Sequence, residues 1–219
     1  MRLFFSRDRE QAKEIFDAFP DWEIQAESLI SFESTGNISD EKHSWIFFTS
    51  KQTVDFYLEK NTITDEKIAC LGSATANYLY GKGYQVNFVG AGKDSSQIGK
   101  DFAKGYRGKV LFPQSNISLQ KVQKELPKED YTDLVVYNTI LVTDNVPDCD
   151  YYVFTSPSNV EAFFEVNTLT DKAICFVLGD TTKEALESKG ISNIVVSEEP
   201  RILSLVEAIK SRNHESETR

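Results

Sequence analysis
The sequence predicts an α/β protein made of two copies of one parallel-sheet unit. Three observations carry that prediction. First, β-forming apolar runs alternate with amphipathic stretches of about 8–12 residues, the pattern of parallel strands joined by helical crossovers. Second, two motifs recur at a nearly constant distance. Phe48-Thr49-Ser50-Lys51-Gln52-Thr53-Val54 returns as Phe154-Thr155-Ser156-Pro157-Ser158-Asn159-Val160, and Leu71-Gly72-Ser73-Ala74-Thr75 returns as Leu178-Gly179-Asp180-Thr181-Thr182. The offsets are 106 (48 to 154) and 107 (72 to 179). Lys82-Gly83 matches Lys189-Gly190, and Arg2-Leu3-Phe4-Phe5 matches Lys109-Val110-Leu111-Phe112, both at 107. Third, 219 residues suit two domains of about 100–120 residues each.

The elements follow in order. Leu3–Ser6 reads as a strand and Asp8–Ala18 as a helix. Glu23–Gln25 and Ser28–Phe32 read as a strand with an irregularity. Trp45–Thr49 is a strand, followed by a helix over Thr53–Glu59. Lys67–Leu71 is a strand, and Ala74–Lys82 a helix that Gly83 stops. Gln85–Val89 is a strand and Ser96–Ala103 a helix. The second copy opens with a strand at Lys109–Phe112 and a helix over Leu119–Leu126, then a long strand at Asp133–Leu141. Tyr151–Thr155 is a strand before a helix over Asn159–Val166. Ala173–Leu178 is a strand before a helix over Thr182–Lys189 that Gly190 stops. Asn193–Val196 is a strand and Ile202–Ser211 the last helix, with Asn213–Arg219 a frayed polar tail. Roughly four or five strands per copy is a flavodoxin-like size, with ligands expected beyond the carboxyl ends of the strands.

Composition narrows the function. Forty per cent hydrophobic and 26% charged residues build an ordinary core without staples. Cys70, Cys149 and Cys175 form neither a disulfide framework nor a zinc spacing, and the first and last sit in apolar runs as buried free thiols. No leader pattern opens the chain and no apolar run is long enough to span a bilayer, so a cytoplasmic location without membrane attachment is expected. A net charge of −10 and a pI near 4.8 argue against a nucleic-acid partner, which needs a basic footprint. An anionic ligand would need a local site of helix-start N–H groups and hydroxyls.

The Thr-Ser and Gly-x-x-Thr steps stand where strands end and helices begin. Helix capping explains any one of them. Two matched pairs also suit a site for carboxylate or phosphate, and Gly72 and Gly179 would permit tight turns and close backbone approach to a ligand. Gly90-Ala91-Gly92-Lys93-Asp94-Ser95 lacks the glycine and the hydroxyl of a P-loop; it reads as a loop in which Lys93 could grip an anion. Tyr137, in Val135-Val136-Tyr137-Asn138-Thr139, is either packing or a proton donor. His43 and His214 lie in polar sequence, and no metal or Ser-His-Asp set can be assembled.

Taken in order, these residues resemble uroporphyrinogen-III synthases (HemD). The likeness runs through Ser6-Arg7 with Gln11-Ala12, Phe48-Thr49-Ser50 with Val54, and Leu71 to Thr75 with Gly81-Lys82-Gly83. It continues through Val136-Tyr137-Asn138-Thr139, Phe154 to Val160, and Leu178 to Thr182 with Gly190. The resemblance implies two flavodoxin-like domains, interleaved and joined by two strand-like linkers: 1–33 with 142–219, and 34–141, with a cleft between them. The repeat alone would divide the chain near Gly108. The implied reaction is cyclisation of hydroxymethylbilane, a linear tetrapyrrole with eight carboxylates, with inversion of ring D and loss of water. No cofactor and no metal are implied, and a monomer is expected. By matching position Tyr137 would be the acid, and Ser50, Thr75, Ser156, Ser158, Asn159, Thr181 and Thr182 would bind substrate. Asp180 and Lys51 depart from the residues common at those turns. The rival reading is a non-enzymatic two-lobed small-molecule binding protein. A receiver-domain pair would need acidic strand ends, where this chain has Thr-Ser and Gly.

Overall fold
Runs such as Trp-Ile-Phe-Phe and Tyr-Tyr-Val-Phe have no polar face, so as strands they require a sheet covered on both sides. All four residues of each are buried. A computed structural model describes residues 1–92 and 94–217, with side chains through 214; the anion grip expected of Lys93 lies outside them. The strands are β1 (Arg2–Phe5), β2 (Glu23–Ala26), β3 (Ile30–Ser34), β4 (Trp45–Phe48), β5 (Lys67–Cys70), β6 (Phe88–Val89), β7 (Val110–Ser115), β8 (Tyr131–Leu141), β9 (Tyr151–Phe154), β10 (Ile174–Val177) and β11 (Ile194–Val196). The helices are α1 (Lys13–Ala18), α2 (Lys51–Lys60), α3 (Ser73–Gly81), α4 (Ser95–Ala103), α5 (Pro157–Val166), α6 (Asp180–Ser188) and α7 (Ile202–Glu217).

The chain forms two units, Met1–Ser31 with Ile140–Arg219, and Phe32–Thr139. It passes between them inside β3 and again inside β8, not at Gly108. The sheet of the first unit has the order β2-β1-β9-β10-β11, with every pair parallel. Numbered within the unit this is 2-1-3-4-5, the flavodoxin order. The second sheet runs β3-β8-β7-β4-β5-β6. Without the edge strand β3, it is the same order with the chain permuted. Each unit therefore takes its first two strands from one copy of the repeat and its last three from the other.

Period-two alternation fills both faces of each sheet. Leu3 and Phe5 pack with α1 and α7 residues such as Ile15 and Ile209, while Phe4 packs on the other face with Val160, Phe163 and Leu186. In the second unit Ile46 and Phe48 meet Val54, Tyr57 and Leu79, while Trp45 and Phe47 meet Ile98 and Phe102. Gly83 and Gly190, at φ 88° and 82°, end α3 and α6 in the left-handed conformation that favours glycine.

Five expectations need correction. The Asp8–Ala18 helix is a 3₁₀ turn at Arg9–Gln11 and then α1, broken at Ala12 (φ −104°, ψ 11°), because Asp8 makes no side-chain cap. The irregular strand over residues 23–32 is two strands in different sheets. Gln85–Val89 contributes only Phe88–Val89. The Leu119–Leu126 helix is absent apart from a 3₁₀ turn at Gln123–Glu125. Gln120 there has φ 54°, which an α-helix excludes, and the Gln123 amide bonds Gln114 at 2.9 Å and Asp133 at 3.2 Å. Finally, α7 runs on to Glu217, through most of the expected tail.

The repeat extends further than the first motifs suggested. Asn61-Thr62-Ile63-Thr64-Asp65 and Asn167-Thr168-Leu169-Thr170-Asp171 match, and Asn61 and Asn167 do the same work. Each caps the end of α2 or α5 and pins the incoming chain: Asn61 accepts from the Ser39 N–H at 3.0 Å, Asn167 from the Val146 N–H at 2.8 Å.

Burial pushes the thiols of Cys70 and Cys175 from 9.0 up to about 12. A folded pKa above the unfolded one gives stability that is full below the unfolded value and lost as pH rises through the folded value. Chemical-denaturation stability should therefore hold to about pH 9 and decline between pH 9 and 12. A Cys70→Ala Cys175→Ala protein should lose less across that window. An identical decline in both proteins would contradict the assignment.

Candidate active site
In a 2-1-3-4-5 sheet the crevice for ligands opens beyond the carboxyl ends, where the strand order reverses. That point lies between β1 and β9 in one unit and between β7 and β4 in the other. Both carry hydroxyls.

In the first unit the buried Ser6 follows β1. Its Oγ accepts from the Thr155 N–H at 2.9 Å, and the Thr155 hydroxyl donates to the Ser6 carbonyl at 3.3 Å. Ser156 is the N-cap of α5, with Pro157 in the first turn, where proline's missing N–H costs nothing. Ser156 Oγ accepts from the Asn159 N–H at 3.3 Å and from Asn159 Nδ2 at 3.0 Å, and lies 3.2 Å from Ser158 Oγ. Asn159 Oδ1 accepts from the buried Leu29 N–H at 2.8 Å. Both ends of that amide are therefore committed within the protein. Gly179 caps α6, Thr181 is exposed in its first turn, and Thr182 is buried.

In the second unit Ser50 is the N-cap of α2. Its Oγ accepts from the Thr53 N–H at 3.1 Å and lies 2.8 Å from Thr53 Oγ1. The Ser50 and Ser156 backbones match closely, at φ −155°, ψ 163° and φ −154°, ψ 153°. Thr75 occupies in α3 the place of Thr182 in α6, and it too is buried. Gly72 and Gly179 are extended, at φ −163° and −179°. The tight turn expected of them is absent. A Cβ at either would meet nothing within 4 Å, so both leave open space over a helix start.

Tyr137 is brought here by a defect in the ladder. The pairing of β7 with β8 slips between Gln114 and Ser115: Gln114 faces Val135, but Ser115 faces Tyr137. A bulge re-aims side chains. Consecutive residues of a regular strand point to opposite faces, yet Val136 and Tyr137 share one cluster. The Tyr137 ring stacks on Phe56 at 4.8 Å and meets the Phe32 edge at 5.5 Å. Burial pushes its phenol above the ordinary 10.0, while the nearby hydroxyls of Thr53, Ser115 and Ser50 pull the other way. The phenol is thus a protonated donor at neutral pH, held among hydroxyls. Thr53 and Ser115 were not singled out from sequence. Nothing in the sequence marks the bulge, although Thr53 lay within a repeated motif.

Other features do not join this set. His43, which lies in polar sequence, has a side chain only 2% exposed, and its Nε2 lacks a hydrogen-bond partner. Glu41, at 3.9 Å, is its nearest ion-pair partner. Gly90 is required by packing, not by phosphate: a Cβ there would lie 2.4 Å from the Leu71 carbonyl. A depression of about 850 Å³ opens at the amino ends of β1, β9 and β10, bearing Asp21, Glu23, Asp148 and Asp150 beside Arg2 and Lys172. Its excess of carboxylates disfavours an anionic ligand. No cluster of metal-ligating side chains occurs among the described residues. No helix there is long and apolar enough to cross a membrane.

A family model described as uroporphyrinogen-III synthase HemD matches residues 20–207. The chain belongs to the uroporphyrinogen-III synthase family. Solved synthases share the fold. One from Helicobacter pylori is 17% identical, with a TM-score of 0.69, over 96% of this chain and 99% of that one. A mutant synthase from the extreme thermophile Thermus thermophilus is 15% identical, with a TM-score of 0.66, over 98% and 99%. A comparison with curated proteins finds no match. As a uroporphyrinogen-III synthase family member the chain is an enzyme, a lyase of tetrapyrrole and heme biosynthesis.

Because capping and ligand binding use the same atoms, Ser50 and Ser156 need a test that separates them. Alanine at either should cost about 1 kcal/mol as a lost cap. Aspartate restores a cap but sets a negative charge where a carboxylate would bind. Ser50→Asp and Ser156→Asp should therefore unfold like wild type in urea while KM rises about tenfold. Unchanged KM in both would leave these serines as caps only.

Proposed function
We propose that this chain closes hydroxymethylbilane to uroporphyrinogen III with Tyr137 as the acid. The observation that carries the residue assignment is the bulge-placed, protonated phenol set among the hydroxyls of Thr53, Ser115 and Ser50. The phenol gives its proton to the departing hydroxyl, which leaves as water, and a delocalised cation remains on the first ring. Ring D attacks that cation through its substituted carbon and forms a spiro intermediate. Fragmentation and reclosure join the ring in inverted orientation. The pyrrole proton released on reclosure returns to the phenolate, so the net change is loss of one water. The reaction needs no redox step.

The substrate can also close unaided to the uninverted isomer. Most of the protein's contribution is then to hold the chain ends so that only the inverting route is open. Ser50 and Thr75 take carboxylates in one unit, with Ser156, Ser158, Thr181 and Thr182 in the other. The starts of α2, α3, α5 and α6 supply N–H groups and positive dipole ends. This suits a protein of net charge −10, because the attraction is built locally. Asn159 contributes by holding Ser156 in place.

The overall negative charge opposes the approach of an anionic substrate, so association should speed up with salt. With hydroxymethylbilane supplied enzymatically and in excess, addition of this chain should shorten its lifetime in proportion to protein concentration. At limiting substrate the gain should increase from low to physiological ionic strength. A lifetime independent of protein concentration would overturn the reading.

A further inference from the structure
We infer that Arg7 is a specificity-determining residue that takes one carboxylate of the substrate at the β1/β9 switch point. The inference rests on the proposed function. Arg7 follows Ser6 in the bend at the carboxyl end of β1, where Ser6 Oγ holds the Thr155 N–H at 2.9 Å, one residue before the α5 cap. It is half-buried, yet its guanidinium has no hydrogen bond, ion pair or ring partner among the described residues. Burial without a compensating anion disfavours its charge, but a guanidinium stays protonated.

Other cations of the same unit are committed otherwise. Arg9 stacks over Phe16 at 4.4 Å, Lys183 pairs with Glu187 at 3.5 Å, and Arg201 pairs with Glu199. A partly desolvated, unpaired charge costs free energy unless something completes it. In a chain with 34 acidic residues against 24 basic ones, the lack of an internal partner is the informative feature.

The second copy of the repeat sharpens the point. At offset 107 from Arg7 stands Gln114. It is buried, and its Oε1 accepts from Gln123 Nε2 at 2.9 Å. The matching repeat position is thus a neutral residue paired within β7 in one unit, and a charged residue without a protein partner, in the bend after β1, in the other. Packing alone does not require an arginine there. A planar fork that accepts a carboxylate in two parallel bonds explains both the residue type and the missing partner. Such a contact makes the two switch points unequal. A catalyst that must tell one end of its substrate from the other needs that inequality.

The test uses Arg7→Met, which keeps much of the apolar stem, and Arg7→Lys. Expected for Arg7→Met is a KM for hydroxymethylbilane raised about 30-fold, with kcat within threefold of wild type and an unchanged melting temperature. Arg7→Lys should recover only part of the KM, since an ammonium cannot make the paired bonds. Equilibrium binding of uroporphyrin III, an octacarboxylate that needs no turnover, should weaken by a similar factor in Arg7→Met. That measurement stands whether or not wild type makes the inverted isomer, so failure of the reaction assignment is seen separately. If KM and uroporphyrin binding both stay within twofold of wild type, or change only alongside a fall in melting temperature, Arg7 is structural and the inference is overturned.

Discussion
Tyr137→Phe should lower kcat for formation of the inverted isomer by about 100-fold, the lower range of what a positioned general acid supplies. KM should change little, because the phenol acts on the departing hydroxyl and not on a carboxylate. The substitution keeps the ring that stacks on Phe56 and meets Phe32, so the fold should survive. The pH profile gives a second, independent reading. Burial holds the phenol above 10.0, so the acid form is present throughout the neutral range. In wild type kcat should be level through neutrality and fall only above about pH 10, as the phenol loses its proton. Initial rates after brief exposure avoid the alkaline loss of stability expected from the buried thiols. In Tyr137→Phe the remaining rate should lack that limb. Retention of full kcat would remove Tyr137 from the acid role while leaving the family membership untouched.

Asn159→Ala should be the most damaging single change at the site for stability, costing about 1–4 kcal/mol. Two losses combine. The Leu29 N–H, fully buried, would lose the acceptor it now has at 2.8 Å, and an orphaned buried donor costs about 1–3 kcal/mol. Ser156 would lose the Nδ2 bond at 3.0 Å that fixes it as the α5 cap, worth up to about 1 kcal/mol more. The melting transition should fall by roughly 3–12 °C. Asn159→Asp keeps the acceptor for Leu29 and should lose less than half as much. Equal losses in both variants would show that the Leu29 bond is not the main term.

Much of the architecture was legible because its signals are local. Buried strands such as Tyr151–Phe154 are apolar without interruption, and Gly83 and Gly190 end their helices where the sequence placed the stops. Expectations failed where the deciding contact is distant in sequence. The segment 119–126 has helical spacing, but the Gln123 amide is drawn to Gln114 and Asp133 on the neighbouring strands. The stretch 23–32 looks like one uneven strand because its two halves serve different sheets. Ser50, Ser156 and Tyr137 were visible as motif positions. The bulge that sets Ser115 against Tyr137 was not, since a register slip depends on pairing and leaves no mark on either strand alone. Asn61 and Asn167 were overlooked although their N-T-x-T-D repeat was in plain view. Polar residues after a helix read as loop until their bonds to Ser39 and Val146 are seen.

The central claim is that this chain directs hydroxymethylbilane along the ring-inverting route. The most direct measurement supplies enzymatically generated hydroxymethylbilane to the purified protein, oxidises the product, and separates the uroporphyrin isomers by chromatography. Isomer III should dominate with the protein present and give way to isomer I when it is omitted. Isomer I alone, with and without the protein, would contradict the account.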